Sequence, residues 1–163
     1  MNSANMQGSS ALTPKKEIIK INASKSETAK LRVAGYARVS SDSADQMNSF
    51  STQVNYYQRT INGNPMWQMT EVYADEGISG VSVNKRDDFS RMIADCKRGK
   101  IDRIITKSTS RFARNTLDAI GVIRELKDIG VTVYFEKENL DTATLTSENL
   151  LTLYSLFAQE ESM

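Results

Sequence analysis

Leu31-Arg32-Val33-Ala34-Gly35-Tyr36-Ala37-Arg38-Val39-Ser40-Ser41 is the stretch on which the reading of this chain turns. Val33, Gly35, Ala37 and Val39 alternate with Ala34, Tyr36 and Arg38, so the run is apolar on both sides with few polar interruptions. A run of that kind suits a strand covered on both faces of a parallel sheet. It stops at Ser40-Ser41-Asp42-Ser43, a turn composition. Open α/β sheets place their ligands at the carboxyl ends of their strands, and that is where Ser40 falls. Arg38 lies two residues earlier, and by the period of two it shares a side with Ser40. A hydroxyl beside a permanent cation suits a phosphate ligand or a phosphoryl-transfer nucleophile. A plain strand end with a solvated loop accounts for the same residues, and the stretch alone leaves both open.

Outward from this strand, the chain alternates. Residues 1–30 are polar, carry Ser, Asn and Lys, and show no sustained apolar period, so a mobile arm is expected. After a polar loop, Phe50, Val54, Tyr57 and Ile61 recur at helical spacing within Ser49 to Ile61, and Gly63-Asn64-Pro65 ends that helix. Trp67 to Ala74 reads as a second strand, followed by the glycine-rich loop Asp75-Glu76-Gly77-Ile78-Ser79-Gly80. Asp87 is placed to cap a helix whose stripe is Phe89, Met92, Ile93 and Cys96, closed by Gly99. A third strand spans Asp102 to Thr106, and a basic loop runs from Lys107 to Asn115. Asn115 or Thr116 caps the next helix, with Leu117, Ile120, Ile123, Leu126 and the Lys127 stem on one face, up to Gly130. Val131 to Phe135 is a fourth strand and Glu136 to Thr144 a polar loop. The last helix opens at Thr146-Ser147-Glu148-Asn149. This order predicts an α/β fold: an open, largely parallel sheet with helices on both faces. The division expected is an arm over 1–30, a core over 31–145 and, over 146–163, the start of a long C-terminal helix. That helix has more apolar positions than one narrow face needs. A partner surface accounts for them, and so does simple docking on the core.

Composition removes several function classes. The 163 residues are 39% apolar and 25% charged, ordinary for a globular chain. No apolar run reaches membrane-spanning length, and the first residues lack the apolar segment of a signal peptide. A cytoplasmic protein is expected. There is no histidine, which excludes His-based triads and His-containing metal sites, and one cysteine makes a zinc site a poor expectation. Cys96 reads as a buried thiol. A net charge of +1 gives no general support for a nucleic-acid partner, so any such surface must concentrate its cations locally.

The loops after parallel strands converge on one edge of the sheet, and there the cations do gather. Arg38 and Ser40 follow the first strand. Asp75, Gly77, Ser79, Gly80, Lys85 and Arg86 follow the second. Lys107, Ser108, Ser110, Arg111 and Arg114 follow the third. The planar, permanently charged fork of arginine matches phosphate oxygens. Arg111 and Arg114, three apart, share a face if the next helix begins early. Phosphoryl transfer needs an in-line nucleophile and charge stabilisation on the equatorial oxygens. Ser40 fits the first need, and Arg38, Arg86, Arg111 and Arg114 fit the second. No general base stands out, no carboxylate cluster is spaced for magnesium, and neither a Walker A motif nor Gly-x-Gly-x-x-Gly is present.

Tyr36-Ala37-Arg38-Val39-Ser40 resembles the nucleophile motif of the serine site-specific recombinases, the resolvase and invertase family. Asp75 to Gly80 resembles its second block, Lys107 to Asn115 its third, and Phe157 to Ser162 the start of its long helix. The four blocks stand in the family's order from Val33 to Ser162, and their wording is nearest the large serine recombinases of transposons and phages. The resemblance implies a resolvase-like catalytic domain that cuts double-stranded DNA at recombination sites through a 5′-phosphoserine link. Strands are then exchanged between the dimers of a synaptic homotetramer, with no metal and no nucleotide cofactor. It implies Ser40 as nucleophile, Arg38 as phosphate ligand, Gln53 as the helix glutamine near the site, and Asp75, Arg86, Arg111 and Arg114 as further site residues. It also implies oligomerisation through the last helix, and DNA-binding modules further along a longer natural protein. The gap from Ser40 to Gln53 exceeds that of small resolvases. Ser110 replaces their aspartate, and Met163 stands where the large branch has arginine. An assembly or regulatory module of the same fold, without cleavage activity of its own, is the alternative. A small-molecule phosphotransferase would need a nucleotide loop that the sequence lacks.

Overall fold

The computed structural model describes residues 29–40, 46–77, 86–146 and 149–162. Five strands form one sheet: β1 (Leu31–Ser40), β2 (Trp67–Gly77), β3 (Arg103–Thr106), β4 (Thr132–Phe135) and β5 (Leu140–Asp141). Their spatial order is β2-β1-β3-β4-β5. β1 pairs in parallel with both β2 and β3, β3 pairs in parallel with β4, and β5 runs antiparallel to β4. The helices are α1 (Gln46–Asn62), α2 (Asp87–Lys97), the short α3 (Thr109–Phe112), α4 (Thr116–Asp128) and α5 (Leu150–Glu161). The expected α/β class with a largely parallel sheet is therefore the class observed.

The apolar run of β1 is buried on both sides. Ala34 and Tyr36 enter one core with α2, α4 and α5, while Val33 and Ala37 enter a second core beneath α1. Gly35 lets α1 approach the strand closely. A Cβ there would lie 2.7 Å from Tyr57 Cγ and 2.9 Å from Tyr57 Cβ, so only glycine admits the Tyr57 ring. The larger core is threaded by edge-to-face aromatic contacts. Tyr36–Phe89, Phe89–Phe112, Phe112–Phe135 and Phe135–Phe157 have centroid separations of 5.1, 5.2, 5.4 and 6.0 Å. Each such pair adds about 0.5–1.5 kcal/mol beyond its buried area. The series ties β1, α2, α3, β4 and α5 into one unit.

Element ends follow local chemistry. Gly99 and Gly130 take φ of +72° and +78° just after α2 and α4, the left-handed conformation that closes helices. Asn115 caps α4, its Oδ1 accepting from the Asp118 N–H at 2.9 Å. Asp87 is the first residue of α2 rather than its cap; Arg86 holds the cap position and makes no side-chain capping bond. α1 begins three residues earlier than its apolar stripe implied, and Phe50 at its start is exposed while Tyr57 and Ile61 are buried. Leu117 likewise stays exposed, because α4 buries Ala119, Ile120, Ile123 and Leu126 instead. The basic loop Lys107 to Asn115 contains α3, and the loop Glu136 to Thr144 contains β5 and a 3-10 turn over Thr142–Thr144. Neither is long enough to carry a periodic signal. α5 docks through Leu153 and Phe157, with Leu151 and Tyr154 exposed. The arm over 1–28, the loop residues 41–45 and 78–85, and Ser147 with Glu148 of the expected helix start lie outside the described residues.

Candidate functional site

The chain leaves β1 for β2 on one side and returns to β3 on the other, so the strand order reverses between β1 and β3. In open α/β sheets the crevice outside that reversal receives the ligand. Here it holds a cavity of ≈ 430 Å³. β1 contributes Tyr36, Ala37 and Arg38, the residue after β3 is Lys107, and α3 contributes Arg111. α1 contributes Ser49, Thr52 and Gln53, which share a helical face by their spacing of three and four. Three cations thus line one cavity, and no carboxylate lines it among the described residues. Two arginine forks and an ammonium converging there suit an anion with several equivalent oxygens. β1 ends at Ser40, whose backbone pairs beside Gly77; its side chain lies outside the described residues.

Arg111 owes its position to a helix of four residues, too short to persist by itself. Three contacts hold α3. The Phe112 ring is buried between Phe89 and Phe135. The Glu138 carboxylate, from the turn between β4 and β5, accepts from the Thr109 N–H at 3.3 Å and from its hydroxyl at 3.2 Å. The Arg86 guanidinium donates to the Phe112 carbonyl. Phe112 is thus the anchor, and the arginine beside it is carried to the cavity wall.

Arg86 belongs to a buried polar network behind the cavity. Its Nε and Nη2 donate to the Tyr36 hydroxyl at 3.2 and 2.9 Å, and its guanidinium carbon lies 3.8 Å from the Phe89 ring centroid. Tyr36 in turn donates to Asp75 Oδ2 at 2.9 Å. The Asp75 carboxylate accepts from the backbone N–H groups of Asp88 (3.0 Å) and Phe89 (2.9 Å), so it caps α2 from the neighbouring strand. Asp88 answers by accepting from the Ala74 N–H at 3.0 Å. Burial raises the Tyr36 hydroxyl well above the ordinary tyrosine range, with Arg86 opposing the rise and Asp75 adding to it. Tyr36 therefore keeps its proton and serves both neighbours, one as donor and one as acceptor.

The expected site residues divide into three groups. Arg38, Gln53 and Arg111 meet at the crevice cavity. Asp75 and Arg86 are joined through Tyr36, on the inner side of β1. Arg114 lines two further clefts, one with Arg38 and Ser110 and one with Arg86 and Asp118. The shared helical face expected for Arg111 and Arg114 does not form. Ala113 between them is extended, with φ −129° and ψ 162°, which breaks the helix and turns the two residues into different clefts. Arg38 borders both the cavity and the first of these clefts, so it stands between Arg111 and Arg114. Tyr36 and Glu138 carry structural weight that the sequence did not announce. Glu138 lies 29 residues from its partner, and no local pattern links them. Among the described residues no three Cys, Asp or Glu side chains cluster in a manner that could hold a metal ion, and no helix is long and apolar enough to cross a membrane.

Fold and site together define a class: a doubly wound α/β domain with a cation-lined crevice at the reversal of strand order. Residues 33–163 match the family model described as "Resolvase, N terminal domain", and the chain belongs to that family. It is 27% identical over 133 residues to a resolvase/recombinase of Pseudomonas putida, covering 82% of this chain and 66% of that protein. It is 30% identical over 129 residues to the transposon Tn552 resolvase of Staphylococcus aureus, covering 78% of this chain and 58% of that protein. The chain thus spans somewhat under two thirds of these relatives' length. Among solved structures, a resolvase family site-specific recombinase from Streptococcus pneumoniae superposes with a TM-score of 0.58 at 27% identity, covering 82% of this chain and 89% of that one. The N-terminal catalytic domain of TP901-1 integrase shares the fold, with a TM-score of 0.54 at 23% identity over 80% of this chain and 94% of that one.

Proposed function

We propose that this chain is the catalytic domain of a serine site-specific recombinase that cuts and rejoins double-stranded DNA. The observation that carries the reading is the convergence of Arg38, Lys107 and Arg111 on one cavity beside the strand that ends at Ser40. In this reading the Ser40 oxygen attacks a backbone phosphorus. The bond from phosphorus to the 3′ oxygen breaks, a 5′-phosphoserine ester forms, and the departing 3′ oxygen takes up a proton. The three cations stabilise charge on the non-bridging oxygens. Gln53, on the α1 wall, orients the phosphate. Arg114 holds the strand on the far side of Arg38, and Asp75 and Arg86 keep α2 and α3 in place. Because the ester conserves the bond energy, attack by the 3′ hydroxyl of another strand reverses the reaction without an external energy source.

Dimers and a synaptic tetramer supply the second strand, with the exposed Leu151 and Tyr154 of α5 as part of the contact. Insertion or excision of a transposon or prophage is the biological setting, supported by the relative named as a transposon resolvase. The test uses suicide DNA substrates bearing the protein's own site and compares wild type with Ser40→Ala. A covalent protein–DNA adduct, mapped to Ser40 by mass spectrometry and formed equally in EDTA, is expected for wild type alone. An adduct that persists in Ser40→Ala, or none with the whole protein on its own site, removes Ser40 as nucleophile.

A further inference from the structure

A second cavity of ≈ 590 Å³ adjoins the first, and Thr52, Gln53 and Lys107 line both. We infer that it is a nucleotide subsite, which takes the sugar and base next to the attacked phosphate of a DNA strand, with Tyr56 as the stacking platform. The inference rests on the reading of the first cavity as a phosphate site.

Four observations support it. First, the volume lies within the range that small-molecule sites occupy, and the shared wall makes one strand crossing both cavities a continuous path. Second, the far wall is an aromatic held in place. Tyr56 is 49% exposed, yet its hydroxyl donates to Glu136 Oε1 at 2.6 Å. Its ring meets that of the buried Tyr57 edge-to-face at 5.5 Å. An exposed ring already fixed at both ends loses little freedom when a base stacks on it. Third, Lys137 lines this cavity alongside Lys107, and the Lys137 N–H donates to the Lys107 carbonyl at 2.8 Å. Their backbones are thus tied together at the carboxyl ends of neighbouring strands, which brings both lysines to the wall of this cavity. Fourth, the two linings differ in charge. The first carries three cations; the second carries two lysines and the Glu136 carboxylate. The weaker positive balance suits a sugar and base better than a second bare phosphate, and a carboxylate oxygen accepts from a base N–H such as the ring imide of thymine.

The test is a titration of the isotopically labelled chain followed by amide NMR, with inorganic phosphate and with the dinucleotide d(TpT) as separate probes. Phosphate is expected to move the amides of Arg38, Lys107 and Arg111. The dinucleotide is expected to move these and, in addition, Tyr56, Glu136 and Lys137. Tyr56→Ala should weaken d(TpT) about fivefold or more beyond any change in phosphate affinity, whereas Tyr56→Phe, which keeps the ring, should retain most of it. If d(TpT) perturbs only the amides that phosphate perturbs, or binds Tyr56→Ala as it binds wild type, the subsite is refuted while the phosphate reading stands. If neither probe moves Arg38, Lys107 or Arg111, the phosphate reading fails and the subsite falls with it.

Discussion

Replacing Tyr36 by Phe removes one oxygen from the centre of the molecule and should lower stability far more than the loss of a neutral hydroxyl. That oxygen donates to Asp75 at 2.9 Å and accepts from Arg86 at 3.2 and 2.9 Å, while the ring itself is fully buried against Phe89. A hydrogen bond to a charged group contributes about 1.5–3 kcal/mol, and two charged groups are involved. Each keeps other partners: Asp75 retains the N–H groups of Asp88 and Phe89, and Arg86 retains the Phe112 carbonyl and the Phe89 face. The loss should therefore fall near the lower end of the sum, about 3 kcal/mol, against roughly 5–15 kcal/mol for a whole domain. At a urea slope of about 1–3 kcal/mol per molar, the unfolding midpoint drops by about 1–3 M. The fluorescence of Trp67, the sole tryptophan, reports the transition from within β2. A drop below about 0.3 M at an unchanged slope would refute the network as a stabilising unit. A midpoint that falls by the expected amount, with amide shifts reaching Arg111, would establish that the network holds α3 as well as α2.

Gly35→Ala should destabilise by about 1–3 kcal/mol, since the added methyl would lie 2.7 Å from the buried Tyr57 ring and force α1 off the strand; thermal unfolding checks it, and a neutral result would mean the ring has room to move. Asp102, bound by the Arg32 fork at 2.7 and 2.9 Å, is held below its usual value of 3.8, and Asp95 is lowered likewise by Tyr73 and Lys100. A depressed carboxylate contributes stability that is fully present above its unfolded pKa and lost as pH falls through the folded one. Acid unfolding should therefore steepen below about pH 4, and Asp102→Asn should flatten that limb while lowering stability at neutral pH. Burial pushes the Cys96 thiol up to about 12, so a disulfide reagent at pH 8 should leave native protein unlabelled and react fully once urea unfolds it. Rapid labelling of the native chain would contradict the packing of α2.

The alternation of strand and helix, the both-sided burial of β1 and the stops at Gly99 and Gly130 were all legible in the sequence, because each depends on residues a few positions apart. So was the gathering of cations at one edge, since parallel strands oblige the loops after them to converge. Phe50 and Leu117 were misplaced for a related reason. Each continues an apolar stripe, but burial is decided by where the neighbouring element ends, and a period cannot report that. The division of the expected site was likewise out of reach. Arg38, Gln53 and Arg111 reach one cavity because β1, α1 and α3 meet at the reversal of strand order. Asp75 and Arg86 are turned inward because the Tyr36 hydroxyl, the α2 N-terminus and the Phe112 carbonyl offer them partners 13 to 50 residues away. Side-chain type and short-range period are enough to give the class of fold and to single out the candidate groups for the site. Which of those groups line the crevice and which support it depends on long-range packing, because a buried charge is drawn to whichever partners the packed chain brings within hydrogen-bond distance.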